Sequence, residues 1–140
     1  MKSYPHISLV SRLKEAARSF IATELERRGL SDIDTSYGDI LAVLFEVESV
    51  KITELAALCD RSKSTVSVTI DKLVKKGLVA KFQDERDSRA VRVRLTGDGQ
   101  KLQDEFEAIS RLLNEKAFAG FTDSEIAVFE ALLRKSLKNF

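Results

Sequence analysis

The most constraining stretch of this chain runs from Ser62 to Leu95, where a helical period gives way abruptly to an alternating one. Ser62 is a good N-cap for a helix over 63–76, and Gly77 is its stop. Val66, Ile70, Leu73 and Val74 fall on one face of that helix and are expected to pack inward. The other face presents Ser64, Thr65, Val68, Lys72 and Lys75, a small, hydroxylated and basic surface suited to a nucleic-acid groove. Beyond Leu78 the spacing predicts one strand over 79–83 and a second with Val91, Val93 and Leu95 on one side. Arg92 and Arg94 point the other way. The polar loop 84–89 between the strands is too long for a two-residue turn and reads as a wing.

Charge is concentrated in the same place. Residues 61–94 hold ten Lys or Arg against four acidic residues, a net +6, whereas the whole chain is +1 and the remainder therefore −5. A nearly neutral protein thus carries a local basic patch, which attracts phosphates by Coulomb steering and counterion release.

The rest of the chain supplies helices to hold this segment. At 140 residues, 44% hydrophobic and 32% charged, it has the composition of an ordinary globular unit with no long linker. Met1 and Lys2 are followed by no apolar run of signal-peptide length, and no segment approaches a membrane span, so a cytoplasmic location is expected. One cysteine and one histidine exclude an intrachain disulfide and argue against a zinc site of the usual type. His6, beside Pro5 at a helix start, reads as a solvated terminal residue.

A first helix is expected over 6–28, with Leu9, Leu13, Ala16, Ala17, Phe20 and Leu25 along one stripe and Gly29 as its stop. A connector over 31–36 leads to a second helix over 37–48 with a wide apolar face. Thr53 caps a short helix ending near Cys59, and with the helix after Ser62 it forms a helix-turn-helix whose second member is the groove reader. Ile52 could add a third strand to the hairpin. Thr96 is expected to cap a helix reaching Ala117, and Thr122-Asp123-Ser124-Glu125 is a capping box for a last helix through Ile126, Phe129, Leu132, Leu133 and Leu137. That helix is apolar over more than one stripe, which suggests that the first and last helices pack across a dimer.

This order of elements, with Ser62-Lys63-Ser64-Thr65-Val66-Ser67, Leu73-Val74-Lys75-Lys76-Gly77-Leu78-Val79, Asp84-Glu85-Arg86-Asp87-Ser88-Arg89 and Leu95-Thr96-Gly97-Asp98-Gly99, resembles the MarR family of winged helix-turn-helix transcription regulators. The resemblance implies a mainly α fold with a β-hairpin wing. It divides the chain into a dimerisation helix and connector over 1–34, a DNA-binding lobe over 35–99 and C-terminal dimerisation helices over 100–140, all in one compact unit. It further implies a homodimer that reads a pseudo-palindromic operator in double-stranded DNA, a repressor released in many members by a small-molecule effector. By match of position, Ser62 to Thr69, with Ser62, Lys63, Ser64, Thr65, Ser67 and Val68 as its DNA contacts, would face the major groove and Arg86 or Arg89 would enter the minor groove; Lys72 on the same helix face and Arg61, through a phosphate, are the further DNA-binding candidates. Asp84 and Asp87 would brace the wing by pairing with nearby arginines.

Two positions depart from the family pattern. Arg61 stands in the turn where an apolar residue is common, and Val68 where many members carry a polar reader; Val68 is expected to touch a thymine methyl. An effector pocket would fall where the dimer helices meet the DNA lobe, near Phe20, Tyr37, Ile40 and Leu41, residues that would serve equally as core. Cys59, at the end of a packed helix, reads as a small hydrophobe before it reads as a redox sensor. No Gly-rich phosphate loop, nucleophile elbow or Cys–His pair points to an enzyme, and no cofactor is expected. The rival function is a winged helix used as a protein-interaction module, which would have no need of a basic groove face.

Overall fold

The structure, a computed structural model, describes residues 4–140; Met1 and Lys2, on which the reading of the chain start rests, lie outside the described residues. Helices carry most of the chain and surround one small sheet. Helix α1 (Pro5–Arg27) opens with Pro at its first turn and leads through a 3₁₀ turn (Thr35–Tyr37) into α2 (Gly38–Glu46). Strand β1 (Val50–Lys51) precedes α3 (Ile52–Leu58) and α4 (Lys63–Lys75), the two members of the helix-turn-helix. Strands β2 (Val79–Gln83) and β3 (Val91–Leu95) follow, then the single turn α5 (Gly97–Gln100), α6 (Gln103–Ala117) and α7 (Asp123–Leu137).

The sheet is antiparallel in the order β1-β3-β2, with Val50 opposite Val93 and Val79 opposite Leu95. This register turns Val50, Val79 and Val93 toward Ile52, Leu55, Val66, Ile70 and Leu73, and all eight are buried. Ile40, Leu41 and Leu44 of α2 join the same core from the other side, and Ile109 of α6 reaches it. Covering each such side chain contributes roughly 1.5–3 kcal/mol before entropy is counted, so this cluster fixes how the sheet sits on α3 and α4.

Several local expectations are corrected. The third strand forms one step earlier than Ile52: Val50 and Lys51 pair with β3, and Ile52 begins α3 with its side chain in the core. Thr53 consequently lies inside the first turn, and the residue before the helix is Lys51, which gives no side-chain cap. Helix α2 stops at Glu46, because Val47 must adopt extended geometry to enter β1. On α4, Val74 is 37% exposed and Thr69 takes the inward place instead.

Thr96 caps only α5, and the longer helix starts anew at Gln103. Its hydroxyl donates to the Gly77 carbonyl at 2.6 Å and accepts from the Gly99 amide at 3.1 Å, joining the end of α4 to the turn after the wing. Gly99 is required there, since a Cβ would stand 2.1 Å from the Leu78 carbonyl oxygen. The capping box at Thr122 and Glu125 forms as the residues imply.

The first and last helices are less covered. Leu25 near the end of α1 is buried, whereas Leu9, Val10 and Leu13 are exposed, and no residue of α7 is buried. Ion pairs help to hold α1 to the rest: Glu24 is buried between Arg27 (3.0 Å) and Arg28 (3.9 Å), and Arg28 reaches Glu105 of α6 at 2.5 Å.

Candidate nucleic-acid interface

The recognition face begins at the turn Cys59–Ser62, in which Asp60 adopts a left-handed backbone (φ 51°), a conformation its short polar side chain tolerates. Ser62 then caps α4, its Oγ accepting from the Thr65 amide at 3.2 Å and donating to the Thr65 hydroxyl at 2.8 Å. Because Val66, Thr69, Ile70 and Leu73 are held in the core, helical geometry turns Ser64, Thr65, Val68 and Lys72 outward. Val68 is 55% exposed, an apolar side chain with no core to join. Lys63 is exposed and Ser67 half-buried on the side of the helix that faces the wing.

The wing is shaped by its own carboxylates. Asp84 accepts the amides of Asp87 (2.9 Å) and Arg86 (3.0 Å) and pairs with the Arg92 guanidinium at 3.2 Å. Arg92 in turn donates to the hydroxyl of Ser49 at 3.0 Å and to its carbonyl at 3.2 Å, so the loop is tied through β3 to the segment before β1. These donors, the Asp87 amide first, hold the Asp84 carboxyl below the usual carboxylate range. Asp87 accepts the Arg89 amide at 3.0 Å and meets its Nε at 3.5 Å. Arg86 remains exposed and the Arg89 side chain is 92% exposed, so both guanidinium groups stand at the tip and edge of the loop.

Helix and wing enclose one groove. Lys63 and Ser67 of α4, Lys51 and Thr53 at the β1–α3 junction, Lys81 of β2 and Arg89 of the wing line it, with Asp87 as its carboxylate. Sequence reasoning misses Lys51 and Lys81 as site residues: Lys81 enters it only through the charge count, and Lys51 lies outside the basic segment altogether. The pairing of Lys51 with Arg92 across β1 and β3 is what brings it to the groove, a long-range contact with no local signature. Lys81 is also held by Asp71 at 2.9 Å.

Arg61 is placed differently from the residues that follow it. It turns back toward α2, pairing with Asp39 at 2.9 Å and reaching the Ser36 carbonyl at 3.5 Å. Burial pushes the thiol of the neighbouring Cys59 up and Asp39 adds to the effect, which disfavours the reactive thiolate.

The residues named for an effector pocket do not form one. Tyr37, Ile40 and Leu41 are buried in the core, and Phe20 lies beneath the Lys116 ammonium, 5.3 Å from its ring centre. A cavity of about 520 Å³ does open at the junction of α1, α2 and α6, on the other side of α2. Ile21, Leu25, Ala42, Phe45, Phe106 and Leu113 give it an apolar wall, and Asp34, Asp39, Glu46, Glu107 and Arg61 stand around it. The core face of α2 carries Ile40, Leu41 and Leu44, whereas the face toward the cavity carries Gly38, Asp39, Ala42, Phe45 and Glu46, among which the small Gly38 and Ala42 leave space against α6. Among the described residues no three His, Cys, Asp or Glu gather as metal ligands, and no helix is long and apolar enough to cross a membrane.

Known proteins share this geometry. Residues 37–91, which run from α2 through the wing, match the model of the MarR family. Two helix-turn-helix transcriptional regulators of Bacillus subtilis are similar. YsmB is 34% identical over 66% of this chain and 63% of its own length, and YpoP is 30% identical over 69% and 68%. The match therefore spans less than two thirds of YsmB. A mutant of Escherichia coli MarR in complex with operator DNA superposes with a TM-score of 0.83 over 98% of this chain and 99% of that one, at 21% identity, a likeness of fold. Its winged arrangement is the one built above from the β1-β3-β2 sheet and α3–α4, and the chain belongs to the MarR family of helix-turn-helix regulators.

Proposed function

We propose that this protein is a sequence-specific regulator of transcription that binds double-stranded DNA as a homodimer, reads an inverted-repeat operator, and acts as a repressor in the cytoplasm. The observation that carries this reading is the shared groove: Lys51, Lys63, Lys81 and Arg89 line it with one carboxylate, Asp87, among the lining residues, and Lys81 pairs with Asp71 beside it. A groove of that sign is a phosphate track. Ser62, Ser64, Thr65, Ser67, Val68 and Lys72 would face base edges and backbone in the major groove, with Val68 against a thymine methyl. Arg86 or Arg89 would enter the minor groove, where negative potential is strongest over narrow A·T tracts.

Bracing by Asp84 and Asp87 lowers the ordering entropy that the wing gives up when it engages. Arg61 takes a supporting part, steadying the start of α4 from Asp39. In the solved complex of E. coli MarR the bound partner is operator DNA, and the same partner is proposed here. A protein-interaction module would gain nothing from a basic groove between helix and wing, so that reading is less well supported. The junction cavity is proposed to hold a small-molecule effector, because it touches both α1 and α6, which would dimerise, and α2, which supports the reader.

Equilibrium binding to a duplex, followed against salt, tests the reading. Arg86→Ala and Arg89→Ala together are expected to weaken binding on the order of tenfold or more and to lower the salt slope by about 0.9 for each phosphate that is no longer neutralised. Unchanged affinity and slope in the double variant would contradict it.

A further inference from the structure

The junction cavity has a sign opposite to the DNA face. Four carboxylates, Asp34, Asp39, Glu46 and Glu107, stand around it with one guanidinium, Arg61, a formal balance of −3. Arg61 is already engaged with Asp39. Among the described residues Asp34, Glu46 and Glu107 have no ion-pair partner; Glu107 accepts only the Gln103 amide nitrogen at 2.9 Å. The Ser36 amide holds the Asp34 carboxyl below the usual range, with smaller contributions from the charges of Lys72 and Arg18, so Asp34 is the rim carboxylate with cations nearest at hand and the negative charge is concentrated at Asp39, Glu46 and Glu107. Behind this rim Phe45 and Phe106 meet at 5.8 Å with their planes tilted by 58°, an aromatic wall suited to a weakly hydrated cation.

From this arrangement we propose that the effector is a lipophilic organic cation, its apolar body against Phe45, Phe106 and Leu113 and its charge among Asp39, Glu46 and Glu107. An organic anion of the same shape would be repelled by the same rim. The cation also supplies a route to the DNA face, because it competes with Arg61 for Asp39. Arg61 immediately precedes Ser62, the N-cap of α4, so losing the 2.9 Å pair releases the start of the recognition helix from α2. The ligand class stands on the cavity alone; the coupling rests on the regulator reading.

Calorimetry of the full chain with tetraphenylphosphonium and tetraphenylborate, which share size and shape and differ in sign, tests the class directly. The phosphonium is expected to bind and the borate not to. Glu46→Gln with Glu107→Gln should weaken the phosphonium about tenfold while leaving the thermal midpoint unchanged, as both side chains are exposed. Equal or tighter binding of the borate, binding of neither ion, or an indifferent double variant would overturn the assignment. For the coupling, phosphonium should weaken binding to a selected operator duplex, and Asp39→Asn should bind the duplex less tightly and no longer respond. A response of Asp39→Asn equal to that of the unaltered protein overturns the competition with Arg61. Failure of the unaltered protein to bind any duplex would overturn the regulator reading and the coupling with it, while the calorimetric result would still decide the cation site.

Discussion

In the winged lobe Ile40, Leu41, Leu55, Val66, Ile70 and Val93 are sealed from solvent, whereas toward the chain ends Leu9, Val10, Leu13, Val128 and Leu132 stand in the open at equally regular helical spacing. The difference lies in what each face meets. Helices α3 and α4 turn toward a three-stranded sheet and α2, which cover them within one chain. Between helices α1 and α7 lies an apolar groove lined by Leu9 and Leu13 on one side and Phe129 and Leu133 on the other. Amphipathic spacing thus names a face that must be covered and does not name what covers it. The lobe is complete in one copy, and we attribute the uncovered helices to packing against a second.

The largest effect that could break this contrast is in the lobe. Ile70→Ala removes a fully buried side chain and is expected to cost about 3 kcal/mol, read by urea unfolding, and to abolish DNA binding with it. A loss below about 1 kcal/mol would mean that the lobe core is not the closed cluster described. At the chain ends, Leu132→Glu places a charge on a side chain that is 60% exposed in the single chain. It should cost the isolated fold little and yet prevent association, so light scattering should report half the mass of the unaltered protein at micromolar concentration. An unchanged mass would show that α7 lies outside the dimer interface.

The smallest effect sharpens the comparison within the wing, which has almost no buried apolar surface and is held by hydrogen bonds. Asp84 has a folded pKa below its unfolded value of about 3.9, so its bracing is fully present above about pH 4 and fades as pH falls through the lower folded value. The amide resonances of Arg86 and Asp87, its two backbone donors, should therefore titrate with a midpoint below about 3.9, and should not titrate in this range in Asp84→Asn. A midpoint at or above the ordinary value would contradict the brace.

What can be read from the residues follows the range of the interactions involved. The N-cap at Ser62, the stop at Gly77 and the capping box at Thr122 depend on neighbours a few positions away, and each is where local chemistry puts it. The wing loop is legible for the same reason: Asp84 reaches the amides two and three residues ahead. Ser49 as the second partner of Arg92, Lys51 in the groove and the true start of β1 depend on strand pairing across some forty residues, which periodicity does not specify. Val74, expected to pack inward, is left partly exposed and Thr69 is buried because the inward arc of α4 runs through Val66, Thr69, Ile70 and Leu73 against the sheet and α3. The cavity lies at the expected junction but on the other side of α2, where Gly38 and Ala42 leave room between that helix and α6.

The most direct test of the DNA-binding reading is selection of bound sequences from a random double-stranded library, with the affinity of the winning sequence then followed against salt. An inverted repeat with half-sites about 10 bp apart, bound with a steep fall as salt rises, is the expected result. Sequence-blind binding, or no binding at low salt, would contradict it.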